Sequence, residues 1–292
     1  MCIRQKINFT TRCMDMKKSQ LSYAIWPWGT ETREQAEQAA KEITDIGFRS
    51  FESVKSCMYA YDLNSKEYKD MLDSFNLKAE SFYFHIPQAG MEEENLFSTL
   101  ERELQFVAEM GVKRVTLQGT YGRPDKFGIR EHEYNLNNMV RFAKIAKSFD
   151  LQTNVHPHVF TYFMFEDDIH YVMQNTDPDL IHFAPDTAHI AAAGADPVKI
   201  IRQYADRVNF THLKDFKMGD DVTDDGWVDS DVPIMTCFHA VGDGHINFPE
   251  IIKILDSVNY DGPLCIELDK PPVSHKDSAK QSFTYLSKFL ED

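Results

Sequence analysis

The chain of 292 residues has a formal net charge of −15, a hydrophobic content of 42% and a charged content of 26%. This balance is typical of a folded soluble domain and excludes a fibrous repeat or a largely disordered chain. The acidic excess argues against a nucleic-acid partner, which needs clustered Lys and Arg. No apolar run approaches the roughly 20 residues of a membrane helix, so no membrane partner is expected.

The N-terminal residues are polar and mixed, without the apolar middle region of a secretory signal. This predicts a cytoplasmic protein. Residues 1–20 are predicted to be an extension, and residues 21–292 to form one domain, since no Pro/Gly/Ser-rich tract divides them. The cysteines are scattered and form no C-x-x-C pair: Cys2, Cys13, Cys57, Cys237 and Cys265. An odd count without zinc-ligand spacing predicts reduced thiols.

Strand-like and helical runs alternate along the chain. The predicted strands cover residues 21–27, 48–53, 78–86, 114–119, 152–158, 180–187, 208–215 and 262–269. A run with helical periodicity follows each of them, and the first helix is expected to stop at Gly47. Successive β-α units of this number predict a parallel sheet that closes into a single-domain (β/α)8 TIM barrel of about 250 residues.

The turn after the first strand argues against the main alternative, an open doubly wound sheet. Such a sheet usually carries a Gly-rich phosphate-binding turn there, and the segment WGTETREQ has a single glycine. Between the seventh strand and its helix lies the acidic stretch Met218–Asp231. Its length is typical of a functional loop or lid.

Titratable residues cluster where the predicted strands end, which is where the active sites of TIM barrels lie. They are Glu52, His85, His156, His158, Asp186, His189, His212, Lys214, Asp215, Glu267 and Asp269. Each one alone is explained by solvation, but burying the whole set without partners would cost several kcal/mol. A shared divalent cation is the simplest explanation. His and carboxylate ligands without Cys suit Mn²⁺, Co²⁺ or Zn²⁺ better than Mg²⁺.

The second half of the chain resembles a known superfamily. The segments APDTAHIAAAGADPVKIIRQYADRVNFTHLKDF, AVGDGHINFPEIIKIL and YDGPLCIELD are similar to the xylose isomerase-like barrels, within them most of all to the inosose dehydratase and sugar phosphate isomerase/epimerase groups. In that superfamily a cation is held by Glu, Asp, His and Glu on the fifth to eighth strands. The resemblance implies Asp186, His212 and Glu267 as ligands, and His156 at the first position, where many members have Glu.

The resemblance further implies a metal-dependent isomerase, epimerase or dehydratase acting on a sugar, keto-sugar or cyclitol. A base would remove a proton next to a carbonyl, and the metal would stabilise the enediolate. His158 is the expected base, Lys214 a proton donor or polarising group, and Glu52 a further acid–base group. The expected substrate contacts are Trp26, His85, His189 and Asp269, with Trp28 as a second apolar wall if the tryptophans do not simply pack beneath the loops.

Phosphodiester cleavage and a non-catalytic binding role are the alternatives to this function. Phosphodiester cleavage, known in DNA-repair members of the superfamily, is disfavoured by the net charge of −15. A catalytically altered barrel that serves as a binding or partner subunit stays open because His156 replaces a carboxylate. Nucleophilic catalysis has no matching elbow motif, and Cys265 is expected to pack inside the barrel. The expected partner is a small carbohydrate or cyclitol, and homo-oligomer formation is left open.

Overall fold

Eight parallel strands form one curled sheet in the computed structural model of this chain. The structure describes residues 16–87, 93–218, 233–269 and 274–292. The strands of the sheet are β1 (Leu21–Ala24), β2 (Ser50–Val54), β3 (Lys78–His85), β4 (Arg114–Gln118), β5 (Gln152–His156), β6 (Ile181–Phe183), β7 (His212–Leu213) and β10 (Leu264–Ile266). Two short strands, β8 (Asp215–Phe216) and β9 (Phe238–His239), form a separate antiparallel pair.

Helices follow the strands on the outside of the sheet. Within the described ranges they are α1 (Arg33–Ile46), α2 (Lys55–Ala60), α3 (Ser65–Ser74), α4 (Glu93–Glu109), α5 (Ile129–Ser148), α6 (Glu166–Gln174), α7 (Thr187–Ala192), α8 (Pro197–Gln203), α9 (Phe248–Ser257) and α10 (His275–Leu286). Helix α1 begins after a capping box formed by Thr32 and Gln35. It stops at the C-cap Gly47, as predicted.

The sheet closes on itself. Its strand order is β6-β5-β4-β3-β2-β1-β10-β7, and parallel bridges Phe183↔Val208 and Asp186↔His212 join the two edges. Closure removes the open edges that a flat sheet would leave. The predicted single-domain (β/α)8 barrel is confirmed, and the C-terminal ends of all eight strands therefore meet around one mouth.

Several strands are shorter than predicted, and at β5 and β7 the shortening changes where candidate site residues lie. Strand β5 ends at His156 because Pro157, the next residue, has no N–H for the ladder. His158 therefore lies beyond the strand. The seventh strand keeps a regular ladder only at His212–Leu213, and the chain then leaves the barrel as β8 to pair with β9.

A small apolar cluster lies inside the barrel, next to buried polar side chains such as Ser81 and Thr116. Ala24, Ala184, Phe210 and Cys265 form a small buried cluster with Trp26 packed against it. Cys265 lies inside the barrel, as predicted, and Phe210 shares the inward face of its strand with His212. A larger core fills the space between the strands and the helices.

Two predicted segments, the N-terminal extension and the lid, lie largely outside the described residues. Residues 1–15 of the predicted extension lie outside the described residues, as does nearly all of the predicted lid Met218–Asp231. Met16 is buried, and Lys18 N donates to the carbonyl oxygen of Glu291 over 2.7 Å, so the chain before β1 lies against the C-terminus. Among the helices of the described part, none has the length and apolar character needed to cross a membrane.

One buried carboxylate organises the loop before α9. Asp215 accepts hydrogen bonds from the backbone N–H groups of Phe216, Gly242, Gly244 and Ile246 over 2.9–3.0 Å. A Cβ at position 244 would lie 2.4 Å from Oδ1 of Asp215, which explains glycine there. Asp215 is therefore a structural residue that ties β8 to this loop.

We expect Asp215→Ala to lower the free energy of unfolding by about 3 kcal/mol, since several N–H groups lose one charged acceptor. Urea denaturation followed by circular dichroism measures the change. Asp243→Ala, an exposed position in the same loop, is the matched control and should leave the midpoint nearly unchanged. Equal midpoints for the two variants would contradict this role.

Candidate metal centre

The four residues that the family resemblance implies as ligands meet at the barrel mouth. One ligand atom from each of His156, Asp186, His212 and Glu267 lies within 4.8 Å of the others, and all four residues are buried. Nδ1 of His212 lies 3.1 Å from Nδ1 of His156 and 3.1 Å from Oε2 of Glu267. Oδ2 of Asp186 is 4.0 Å from the same nitrogen. Side chains distant in sequence thus face one point.

The buried carboxylate of Glu52 sets the proton position on His212. Its Oε2 lies 2.5 Å from His212 Nε2, and an ionised carboxylate can only accept a hydrogen bond. Nε2 therefore carries the proton, and in the neutral ring Nδ1 presents its lone pair to the other three side chains. This geometry makes Glu52 an orienting group for His212, while its acid–base role stays a prediction.

The donor set fits a divalent cation. Within the described chain, two buried carboxylate oxygens of the group have no hydrogen-bond partner: Asp186 Oδ2 and Glu267 Oε2. Leaving such an atom unpaired costs about 1–3 kcal/mol. Burial lowers the pKa of His156 well below its ordinary value, so the ring is neutral and can donate a lone pair. Two imidazoles and two carboxylates suit Zn²⁺, Co²⁺ or Mn²⁺.

The D-T-x-H segment places these groups through local hydrogen bonds. Asp186 is the N-cap of α7, and its Oδ1 accepts from the backbone N–H of His189 over 2.8 Å, which leaves Oδ2 directed at the cluster. The Thr187 hydroxyl donates to the carbonyl oxygen of Lys214 over 2.6 Å and accepts from the N–H of the same residue over 3.0 Å. The end of β6 is thereby fastened to the seventh strand.

Lys214 places its ammonium among three carboxylates. Nζ lies 2.6 Å from Oδ2 of Asp269, 2.9 Å from Oε1 of Glu267 and 3.4 Å from Oδ2 of Asp186. Nε2 of His189 lies 3.3 Å from the same nitrogen. The lysine side chain is fully buried, so these groups are its immediate surroundings.

Burial and the neighbouring charges shift the pKa values of Lys214 and Glu267. Burial by itself lowers the pKa of Lys214, but the carboxylates of Asp186, Asp269 and Glu267 outweigh burial and raise it above the ordinary value. Burial raises the pKa of Glu267 well above its ordinary value; Lys214 opposes this, and the other two carboxylates add to it. A divalent cation beside Glu267 would favour the ionised form of this group and so act against the effect of burial.

His158, the expected base, has a defined proton position. Its Nδ1 lies 2.7 Å from the carbonyl oxygen of Val159, which can only accept, so Nδ1 carries the proton and Nε2 the lone pair. Burial lowers the pKa of the ring, which keeps it neutral near pH 7. The ring lies 3.8 Å from that of His189 and 5.8 Å from that of His156, between centroids.

An aromatic wall beside the cluster contains one residue that sequence reasoning missed. The ring of Trp26 lies 5.8 Å from His212 and 5.3 Å from Tyr83. Tyr83 stacks on His212 at 6.0 Å and 22°, and its hydroxyl donates to Gln118 over 2.6 Å. Tyr83 shares the inward face of β3 with His85, two residues later, so strand alternation contained the signal.

Two other sequence-predicted contacts lie away from the cluster. Trp28 packs outside the barrel against Tyr23, and its indole N–H donates to Glu42 over 2.8 Å. These contacts favour the packing role over a place in the apolar wall. His85 is exposed at the end of β3, and no contact joins it to the four ligand residues in the described chain. Its role as a substrate contact stays a prediction.

A family model described as the xylose isomerase-like TIM barrel matches residues 38–289. The match covers most of the chain, and the closed barrel with its cluster of His and carboxylate side chains agrees with it. This chain therefore belongs to the xylose isomerase-like TIM barrel family.

Individual relatives extend this result. The inosose dehydratase of Clostridium beijerinckii is 29% identical over 252 residues, covering 81% of this chain and 83% of that protein. A crystal structure of the IOLI protein with a bound zinc atom aligns with a TM-score of 0.71 at 11% identity, covering 92% of this chain and 97% of that chain. L-ribulose 3-epimerase aligns with a TM-score of 0.72 at 14% identity, covering 92% and 94%. These two structures support the fold alone.

We expect the ring of His158 to be the Nδ1–H tautomer at neutral pH, because the Val159 carbonyl oxygen holds that proton. Long-range ¹H–¹⁵N correlation spectra of ¹⁵N-histidine-labelled protein distinguish the tautomers, and His158→Gln identifies the resonance. The exposed His245 gives the solvent-averaged reference. A proton found on Nε2 would remove the lone pair that a base needs there.

Proposed function

We propose that this chain is a divalent-metal-dependent dehydratase of a keto-cyclitol or keto-sugar. It would remove a proton next to the carbonyl and release a neighbouring hydroxyl as water. The observation that carries the proposal is the convergence of His156, Asp186, His212 and Glu267, whose ligand atoms lie within 4.8 Å of one another. Asp186 and Glu267 each bury a carboxylate oxygen without a hydrogen-bond partner in the described chain.

The proposed roles of the cluster residues are metal binding and the orientation of a ligand. His156, Asp186, His212 and Glu267 would hold the cation, which when bound supplies Lewis-acid polarisation of the substrate carbonyl. Glu52 holds the ring of His212 through its Nε2 proton. The zinc bound by the structurally similar IOLI protein is consistent with a His and carboxylate donor set.

Two groups would move the protons of the elimination. The neutral His158 Nε2 accepts the proton from the carbon next to the carbonyl, and the electron pair of that C–H bond forms the new double bond. The C–O bond at the neighbouring carbon breaks, and the ammonium of Lys214 protonates the leaving hydroxide to water. His158 then releases its proton to solvent and Lys214 regains one, so both groups return to their starting states.

Two observations favour elimination over isomerisation or epimerisation. The ammonium of Lys214, 2.6 Å from Asp269 and 2.9 Å from Glu267, is a proton donor held beside the ligand cluster. The relative with 29% identity over 81% of this chain is an inosose dehydratase. The same base would also serve the two rival reactions, so the product analysis must separate them.

We expect the protein loaded with Mn²⁺ or Co²⁺ to convert an inosose into a product lighter by one water, measured by mass spectrometry. In D₂O, recovered substrate should carry deuterium next to the carbonyl. His158→Asn should reduce both signals by about 100-fold or more, because the base is lost. His245→Asn, an exposed histidine, is the matched control and should keep both.

The outcomes separate the candidate functions. Deuterium exchange without loss of water would make the protein an isomerase or epimerase. A metal-loaded protein that shows neither signal with a panel of keto-inositols and keto-sugars would be a binding or partner barrel. A protein that binds no divalent ion would contradict the proposal at its first step.

We expect His156→Glu to raise the affinity for Mg²⁺ relative to Zn²⁺ by about tenfold or more, since a carboxylate adds a hard, charged ligand in place of a neutral imidazole. Competition titrations with a metal-sensitive dye measure the ratio. His85→Glu adds the same charge at a strand end outside the ligand group and should leave the ratio nearly unchanged. An unchanged ratio in His156→Glu would show that residue 156 is not a ligand.

A further inference from the structure

The ammonium of Lys214 is surrounded by side-chain atoms of the kind that bind metal ions, and their arrangement matches a second cation position. Nζ is 2.6 Å from Asp269 Oδ2, 2.9 Å from Glu267 Oε1 and 3.3 Å from His189 Nε2. These three residues also form a second group of metal-type ligands whose donor atoms lie within 4.8 Å of one another. The lysine nitrogen thus fills the place that a metal ion would take among them.

Glu267 belongs to both groups and divides its two oxygens between them. Oε2 lies 3.1 Å from Nδ1 of His212, in the first group, and Oε1 lies 2.9 Å from Nζ of Lys214. In two-metal sites the ions lie about 3.5–4 Å apart and share ligands in this way. Here a shared carboxylate faces the first cation position on one side and an ammonium on the other.

The ammonium is held in place from several directions. Lys214 is among the largest fully buried side chains, and the ring of Phe238 lies 4.8 Å from Nζ. Thr187 binds both the N–H and the carbonyl oxygen of Lys214. A buried lysine fixed at both its backbone and its nitrogen does not behave like a mobile surface side chain.

We propose that the Lys214 ammonium is a built-in monovalent cation that occupies the second of two adjacent cation positions and so limits the chain to one divalent ion. The proposal rests on the proposed function, because the first position must bind a divalent ion. An ammonium in this place differs from a metal ion in carrying N–H protons. It therefore supplies a proton donor where a second metal would supply only charge.

The decisive experiment compares Lys214→Ala with Lys214→Met. Both substitutions remove the charge, but only alanine leaves room for an ion, and the thioether is a poor ligand for Mn²⁺. Chelator-treated full-length protein is dialysed against Mn²⁺, and bound metal is measured by mass spectrometry. We expect one Mn²⁺ per chain in the wild type and in Lys214→Met, and two in Lys214→Ala.

Two further measurements place the second ion. Adding Asp269→Ala to Lys214→Ala should return the stoichiometry to one, since Asp269 Oδ2 is the donor nearest to Nζ. Two Mn²⁺ ions bridged by Glu267 should show the electron paramagnetic resonance spectrum of an exchange-coupled pair. An added ion that gives only an uncoupled spectrum would lie elsewhere and would contradict the proposal.

Lys214→Met provides a test that does not depend on the folding of the alanine variant. Removing a positive charge next to the first position should raise its Mn²⁺ affinity by at least about tenfold, because like charges repel strongly in a buried site. Unchanged or weaker affinity would overturn the proposal. If Lys214→Ala folds only when Mn²⁺ is added, with a larger rise in thermal midpoint than the wild type shows, the ion has replaced the ammonium.

The remaining outcomes separate this inference from the proposed function. One Mn²⁺ in both the wild type and Lys214→Ala would overturn the inference and leave the single-metal dehydratase intact. Two Mn²⁺ in the wild type would overturn the inference in the same way. No bound Mn²⁺ in any variant would overturn both.

Discussion

Like charges and lone pairs that are buried together repel one another unless a cation lies between them. This repulsion acts among the carboxylates and imidazoles at the mouth of the barrel. Asp186, Glu267 and Asp269 all point toward Lys214, whose single charge does not balance them. Nδ1 of His212 and Nδ1 of His156 lie 3.1 Å apart. The low dielectric of the interior strengthens each of these repulsions.

The scaffold around the mouth is built from the same short segments as the cluster itself. Asp186 caps α7 with one oxygen and faces the cluster with the other, and Thr187 fastens the backbone of Lys214. Asp215 follows Lys214 and holds the loop before α9 through four backbone N–H groups. Because one segment supplies both a functional and a structural contact, small shifts of the backbone are resisted where the chemistry needs precision.

The imidazole at position 156 has a physical explanation in this setting. A carboxylate there would bring a further negative charge to a place where Asp186, Glu267 and Asp269 already share one ammonium. The neutral ring of His156 adds a donor without adding charge, and burial keeps it neutral. Under the proposed function, the departure from the usual family pattern would change the metal preference of the site while keeping four donors, and it agrees with the proposed role of Lys214.

The barrel, helix α1 and the inward-facing residues of the strands were predictable from the sequence to different extents. The eight-unit alternation predicted the barrel, and Gly47 predicted where α1 stops. Strand alternation placed His212 with Phe210, and Glu267 with Cys265, on inward faces. It overlooked Tyr83, although this residue shares a face with His85. For Trp28 the sequence left packing and a place in the apolar wall open; the residue lies in a short 3-10 helix after β1, Trp26–Trp28, and packs outside the barrel. The alternation of residues within a strand does not show how the turn after that strand orients its side chains.

The amino-acid sequence by itself determined the order of strands and helices, the inward parity of the strand residues and the identity of the ionisable groups, because these depend on periodicity and residue type. Only the tertiary structure decided that Glu52 would hold the proton of His212, that His158 would expose Nε2, and that Lys214 would lie between Glu267 and Asp269. Such contacts join residues up to 160 positions apart and depend on the closure and stagger of the barrel, which no local segment encodes.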